Sequence, residues 1–103
     1  MGFTIQEGNE THVTVSGKLD FARAPQLLDA LTGLKGKGIS CITFKCRDLT
    51  YISSSGIRAI IYAQQKISQN MTIKMENVSE DVMEVLDMCG IADFIEFTSS
   101  DSE

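Results

Sequence analysis

The feature that most constrains this chain is a change of period along it. Apolar residues recur at every second position, then at every third or fourth, and the two patterns take turns. Phe3-Thr4-Ile5-Gln6 and Thr11-His12-Val13-Thr14-Val15-Ser16 alternate apolar and polar around a Gly8-Asn9 turn signal, which predicts an antiparallel hairpin. Gly17-Lys18-Leu19-Asp20 ends it. Ala24, Leu27, Leu28 and Leu31 follow at helical spacing, with Pro25 tolerable only in a first turn and Asp20 placed as a cap or turn acceptor. Gly33 to Gly38 makes a loop, and Ile39 to Cys46 reads as a strand from which Arg47 to Ile52 leads out. After Ser53-Ser54-Ser55-Gly56, the residues Ile57, Ile60, Ile61 and Gln64 mark a second helix, expected to reach about Gln69 with Asn70 as its stop. Met71 to Glu76 alternates as a strand. Ser79 caps a third helix with Glu80 and Asp81 in its first turn, a stripe of Val82, Val85, Leu86 and Cys89, and Gly90 as its stop. Ile95 to Thr98 is a last strand, and Ser99 to Glu103 a polar tail expected to fray.

The order is two strands, then helix and strand in alternation. It predicts an α/β fold: a mixed, largely parallel sheet of about five strands behind an N-terminal hairpin. Right-handed crossovers between strands in sequence order put every helix on the same face. The strands alternate rather than run apolar throughout, so the other face is expected to be wet. At 103 residues the chain is read as a single domain spanning 1–103.

Composition narrows the function. The net charge is −5, with 9 basic and 14 acidic residues, which argues against nucleic acid and anionic lipid as partners. No apolar run reaches the ~20 residues of a membrane span, and no leader pattern opens the chain, so no direct membrane insertion and a cytoplasmic location are expected. Cys41 and Cys46 are read as small buried hydrophobes, on opposite faces of a strand and about 16 Å apart. His12, the only histidine, is read as a solvent-facing residue of an edge hairpin, beside Thr14 and Ser16 on the polar face, so a buried serine–histidine dyad is not expected. With no nucleophile elbow, no metal-ligand spacing and no phosphate loop at Gly36-Lys37-Gly38, no enzyme activity and no cofactor are expected. Glu80, Asp81, Glu84 and Asp87 are read as a solvated helix face.

One segment exceeds what structure needs. A single serine suffices to cap a helix, yet Ser53-Ser54-Ser55-Gly56 supplies three before a glycine, at the carboxyl end of a strand where α/β ligand sites gather. A phosphate there meets the positive end of the helix dipole. Capping and phosphate acceptance both fit these residues.

Together with Gly17-Lys18-Leu19-Asp20 and Val82 to Gly90, the run Asp48-Leu49-Thr50-Tyr51-Ile52-Ser53-Ser54-Ser55-Gly56-Ile57-Arg58 resembles a STAS domain of the stand-alone anti-sigma factor antagonist type. The resemblance implies a protein that sequesters an anti-sigma factor serine kinase. Phosphorylation of a serine opening the second helix switches it off, and a metal-dependent serine phosphatase restores it. By position the acceptor is Ser54, with Ser53 and Ser55 as alternates. Asp20, Asp48, Ser53, Ser55, Gly56, Ile57 and Arg58 fall at partner-binding positions. Ser53 stands where many regulated members carry Asp, and Arg58 where a small residue is common. The resemblance also allows a constitutive accessory subunit of a lipid-transport ATPase complex.

Overall fold

The strand and helix segments assemble into a five-stranded sheet that carries its helices on one side. A computed structural model describes residues 3–6, 8, 10–35, 38–66 and 72–98. Strand β1 (Phe3–Gln6) pairs antiparallel with β2 (Glu10–Leu19). Strands β3 (Cys41–Ile52), β4 (Thr72–Glu76) and β5 (Glu96–Thr98) add in parallel, in the order β1-β2-β3-β4-β5. Helices α1 (Ala24–Thr32), α2 (Ser54–Lys66) and α3 (Glu80–Met88) make the crossovers, and a 3₁₀ turn at Ala92–Phe94 precedes β5. The expectations for Gly36-Lys37, for the stop at Asn70 and for the tail at 99–103 lie outside the described residues.

The register shows why the sheet is one-sided. Ile5, Val13, Phe44, Met75 and Phe97 lie side by side across all five strands. This row and its neighbours share one core cluster with Leu27 and Leu31 of α1, Ile57, Ile60 and Ala63 of α2, and Val82 and Leu86 of α3. The adjacent row on the opposite face reads Gln6, His12, Thr43, Lys74, Glu96. Period-two alternation therefore sorts the apolar residues under the helices and leaves the polar ones on the bare face.

Several local expectations need correction. Arg47 to Ile52 does not lead out of the strand but continues β3, paired with β2 as far as Leu19↔Ile52. The alternation is interrupted twice, where Thr14↔Lys45 is followed by Ser16↔Asp48 and Gly17↔Leu49 by Lys18↔Tyr51. At each point β3 holds one extra residue, a bulge, so its buried positions become Cys46, Leu49 and Ile52. Gly17 sits at the second bulge with φ +72, a left-handed conformation that suits glycine. Its carbonyl accepts a hydrogen bond from the Thr50 hydroxyl at 3.0 Å.

His12 lies on the hairpin at the sheet edge and on its polar face, but on the inner strand and not fully in water. Strand β2 lies between β1 and β3, and His12 is half-buried with Nδ1 lacking a hydrogen-bond partner. Leu28 is exposed, because Ala24, Leu27 and Leu31 already fill the buried stripe of α1. Cys89 is exposed too. It caps α3 rather than joining its stripe. Gly90, at φ +76, turns the chain back so that Ile91 reaches the core, its amide bonding the Leu86 carbonyl. Cys41 and Cys46 are both buried, one on each face of the sheet. Burial, assisted by the negative charge of Glu76, pushes the Cys46 thiol up to about 12.

Candidate functional site: the serine turn opening the second helix

At the carboxyl ends of β2 and β3 the chain leaves the sheet twice, into α1 and into α2. These exits are tied together. The Ser53 amide donates to the Leu19 carbonyl at 2.9 Å, continuing the β2–β3 ladder by one bond. One residue later on the β2 side, the Asp20 carboxylate accepts from the amides of Ala22 and Arg23 at 3.1 and 3.3 Å. Its carbonyl accepts from Arg23 and Ala24. Asp20 thus builds the tight turn into α1, the role its position predicts.

The three serines divide the work. Ser53 is 4% exposed, and its hydroxyl accepts from the Gly56 amide at 3.3 Å, so it is the N-cap of α2. Ser54 and Ser55 occupy the first two helical positions, where backbone amides have no acceptor inside the helix. Ser54 is exposed and Ser55 half-buried. The expectation of an exposed small-residue turn thus holds for Ser54 and fails for Ser53, whose hydroxyl is committed to the cap.

Gly56 and Ile57 set the height of this turn against the sheet. A Cβ on Gly56 would lie 2.9 Å from Ile52 Cγ1 and 2.9 Å from Leu19 Cγ. Only a hydrogen at this position lets α2 sit down on the ends of β2 and β3. Ile57 is 4% exposed and packs in the core. Both residues shape the site from below and present no side-chain surface to a partner.

Arg58 is exposed, four residues after Ser54, so the two lie one above the other on the same helix face. Asp48 does not join them. It stands four positions before Ile52 on β3, about 13 Å away along an extended strand. There it lines a cleft of about 280 Å³ with Thr14, Lys45, Arg47, Glu76 and Asn77.

Two residues beside the turn escaped the sequence reading. Phe21 is 71% exposed in the loop that Asp20 folds, and Tyr51 is 47% exposed two residues before Ser53. The available signal was an aromatic between turn-forming Asp20 and Ala22, with no helical or strand period to bury it. Large aromatics left in water beside a polar turn are the residue types that anchor protein interfaces.

The profile of the STAS domain matches residues 4–103. The chain belongs to the STAS family. A similar relative is the anti-sigma-B factor antagonist of Bacillus subtilis, 26% identical over 95 residues that cover 91% of this chain and 86% of the relative. Among solved structures, a protein of Thermotoga maritima described as a putative anti-sigma factor antagonist superposes with a TM-score of 0.84 at 16% identity, covering 97% of this chain and 88% of that one. The Bacillus cell fate determinant SpoIIAA in its phosphorylated form superposes with a TM-score of 0.74 at 15% identity, covering 93% of this chain and 90% of that one. These likenesses match the five-stranded mixed sheet and its one-sided helices.

Proposed function

We propose that this chain is a cytoplasmic anti-sigma factor antagonist. In this reading it is a binding module, not an enzyme, that docks its serine turn on an anti-sigma factor serine kinase. Phosphorylation of Ser54 releases it, and a serine phosphatase resets it. The observation that carries the reading is the division of labour in the turn. Ser53 holds the cap, which leaves the Ser54 hydroxyl exposed and free for modification without loss of the helix start.

The physical consequence of a phosphate at Ser54 is local. It adds about −1.5 to −2 charges at a helix N-terminus, where free amides and the dipole favour an anion, so α2 stays folded. What changes is the surface. An ion that a partner must desolvate replaces a neutral hydroxyl, and a thousandfold loss of affinity needs only ~4 kcal/mol. Arg58, one turn along, is positioned to meet either that phosphate or a carboxylate of the partner. Serine in place of Asp at position 53 is compatible with this scheme, because both residues cap helices about equally well. Phe21 supplies an apolar anchor beside the turn.

A nucleophilic role for Ser54 finds no support among the described residues. His12 pairs with Gln6 and Thr43 on the helix-free face, seven positions before Leu19 on β2. The test is co-isolation of the anti-sigma factor with tagged variants from the native cells. Ser54→Ala is expected to retain the partner and Ser54→Asp to lose it. Equal retention by both variants, or recovery of a membrane ATPase in place of the kinase, would overturn the proposal and favour a constitutive subunit.

A further inference from the structure

We propose a second docking surface, an apolar groove between α3 and β5 that takes a lysine- or arginine-rich segment of a partner protein carrying an apolar side chain. Two adjoining hollows share Val78 and Met83. One, about 490 Å³, is also lined by Glu80, Asp81, Glu84 and Asp87, and the other, about 150 Å³, reaches Phe97 and Thr98. Val78, Met83 and Phe97 are half-buried, so the floor of the groove is apolar and open to an incoming side chain.

The four charged residues that line this floor, Glu80, Asp81, Glu84 and Asp87, all carry the same sign. Nine of the fourteen acidic residues lie within 75–103, a stretch without lysine, arginine or histidine, whereas all nine lysines and arginines lie within 1–74. The carboxylates do not converge on a metal: among the described residues no group of three or more is placed to hold one. Those of α3 are instead spread over about 10 Å of helix, a layout suited to several separate cations.

Their layout also works against the helix. Glu84 meets like charges at Glu80, four residues before it, and at Asp81 and Asp87, three residues to either side. Asp87 lies in the last turn, where the dipole disfavours an anion and no basic residue stands. Cations from outside relieve all of these conflicts. Nucleic acid and anionic membranes are repelled by such a surface, which leaves a basic protein segment laid into the groove. None of these residues belongs to the serine turn, so the inference stands apart from the fate of Ser54.

The test uses the isotope-labelled full chain and a synthetic leucine–lysine peptide with leucines at helical spacing. Saturable amide shifts are expected at residues 78–87 and 97–98, weakening with added salt. Affinity should fall roughly tenfold in Glu84→Lys and, independently, in Met83→Ser, the scale of losing one contact at an interface. Ser54→Asp should leave it unchanged. Absent shifts, shifts spread to Asp29 and Asp48, indifference to Met83→Ser, or the same shifts from magnesium alone would each overturn the proposal.

Discussion

At the scale of single residues, small side chains at the end of β3 carry much of the architecture. A methyl group on Gly56 must displace Ile52 and Leu19 at γ carbons close to their own backbones, which cannot swing aside freely. Gly56→Ala is therefore expected to destabilise the chain by about 1–3 kcal/mol in urea unfolding. Ser53→Ala should cost about 1 kcal/mol as a lost cap, and Ser54→Ala close to nothing. An equal cost for Ser53→Ala and Ser54→Ala would contradict the division of roles in the turn. Cys46 gives a pH prediction. Its thiol rises from an ordinary 9.0 to about 12 in the folded state, so the folded chain holds its proton where the unfolded chain has lost it. Stability from this group is thus complete below pH 9 and falls as pH climbs from 9 toward 12, by a few kcal/mol at most. Urea titrations of wild type and Cys46→Ala between pH 8 and pH 11 should show a steeper alkaline loss for wild type. Parallel curves would refute the assignment. The serine turn was readable from composition and order alone, because three hydroxyls and a glycine exceed capping needs. Phe21 was not, since an isolated aromatic in a loop has no period that tells exposure from burial.

At the scale of elements, legibility followed periodicity. The hairpin, β4 and all three helices could be read because their apolar residues keep one period long enough to reveal a face. The second half of β3 could not. Cys46, Leu49 and Ile52 are buried at spacing three, which is neither a strand's two nor a helix's three-and-four, because two bulges re-aim the strand within six residues. Only the partner strand, with Gly17 at φ +72, reveals that these residues still pair. The Thr50 hydroxyl bond to the Gly17 carbonyl closes the second bulge. Thr50→Val, which keeps the shape and removes the donor, should cost about 1 kcal/mol and raise hydrogen exchange at Ser53, whose amide lies three residues on. Unchanged exchange there would show that the bulge does not hold the turn. Helix α3 carries its own signature of conflict. Glu84→Lys replaces three like-charge pairs, with Glu80, Asp81 and Asp87, by attractive ones, so it should raise thermal stability slightly, by about 0.5 kcal/mol. A lowered midpoint would show that Glu84 is needed for folding rather than held against the helix's preference.

At the scale of the whole molecule, the one-sided sheet and the split in charge define what the protein can touch. Strand order equal to sequence order places α1, α2 and α3 over a single apolar face, and the carboxyl ends of β2 and β3 then converge on one turn. That convergence explains why Asp20, thirty-three positions before Ser53 in sequence, is built into the same site, joined through Leu19 and Ser53. Asp48 is near the serines in sequence but is carried off by the strand to a different cleft. Sequence proximity was a poor guide to membership of the site, and strand topology a good one. The net charge of −5 means that encounter with a basic partner should slow as ionic strength rises. The central claim is that Ser54 is a reversible phosphate acceptor which controls partner binding. Phosphosite mass spectrometry of the protein isolated from its own cells, in growth and under stress, tests it most directly. Phosphate is expected on Ser54, none on the buried Ser53, with an occupancy that changes between the two conditions. A serine turn that is unmodified in both conditions would contradict it.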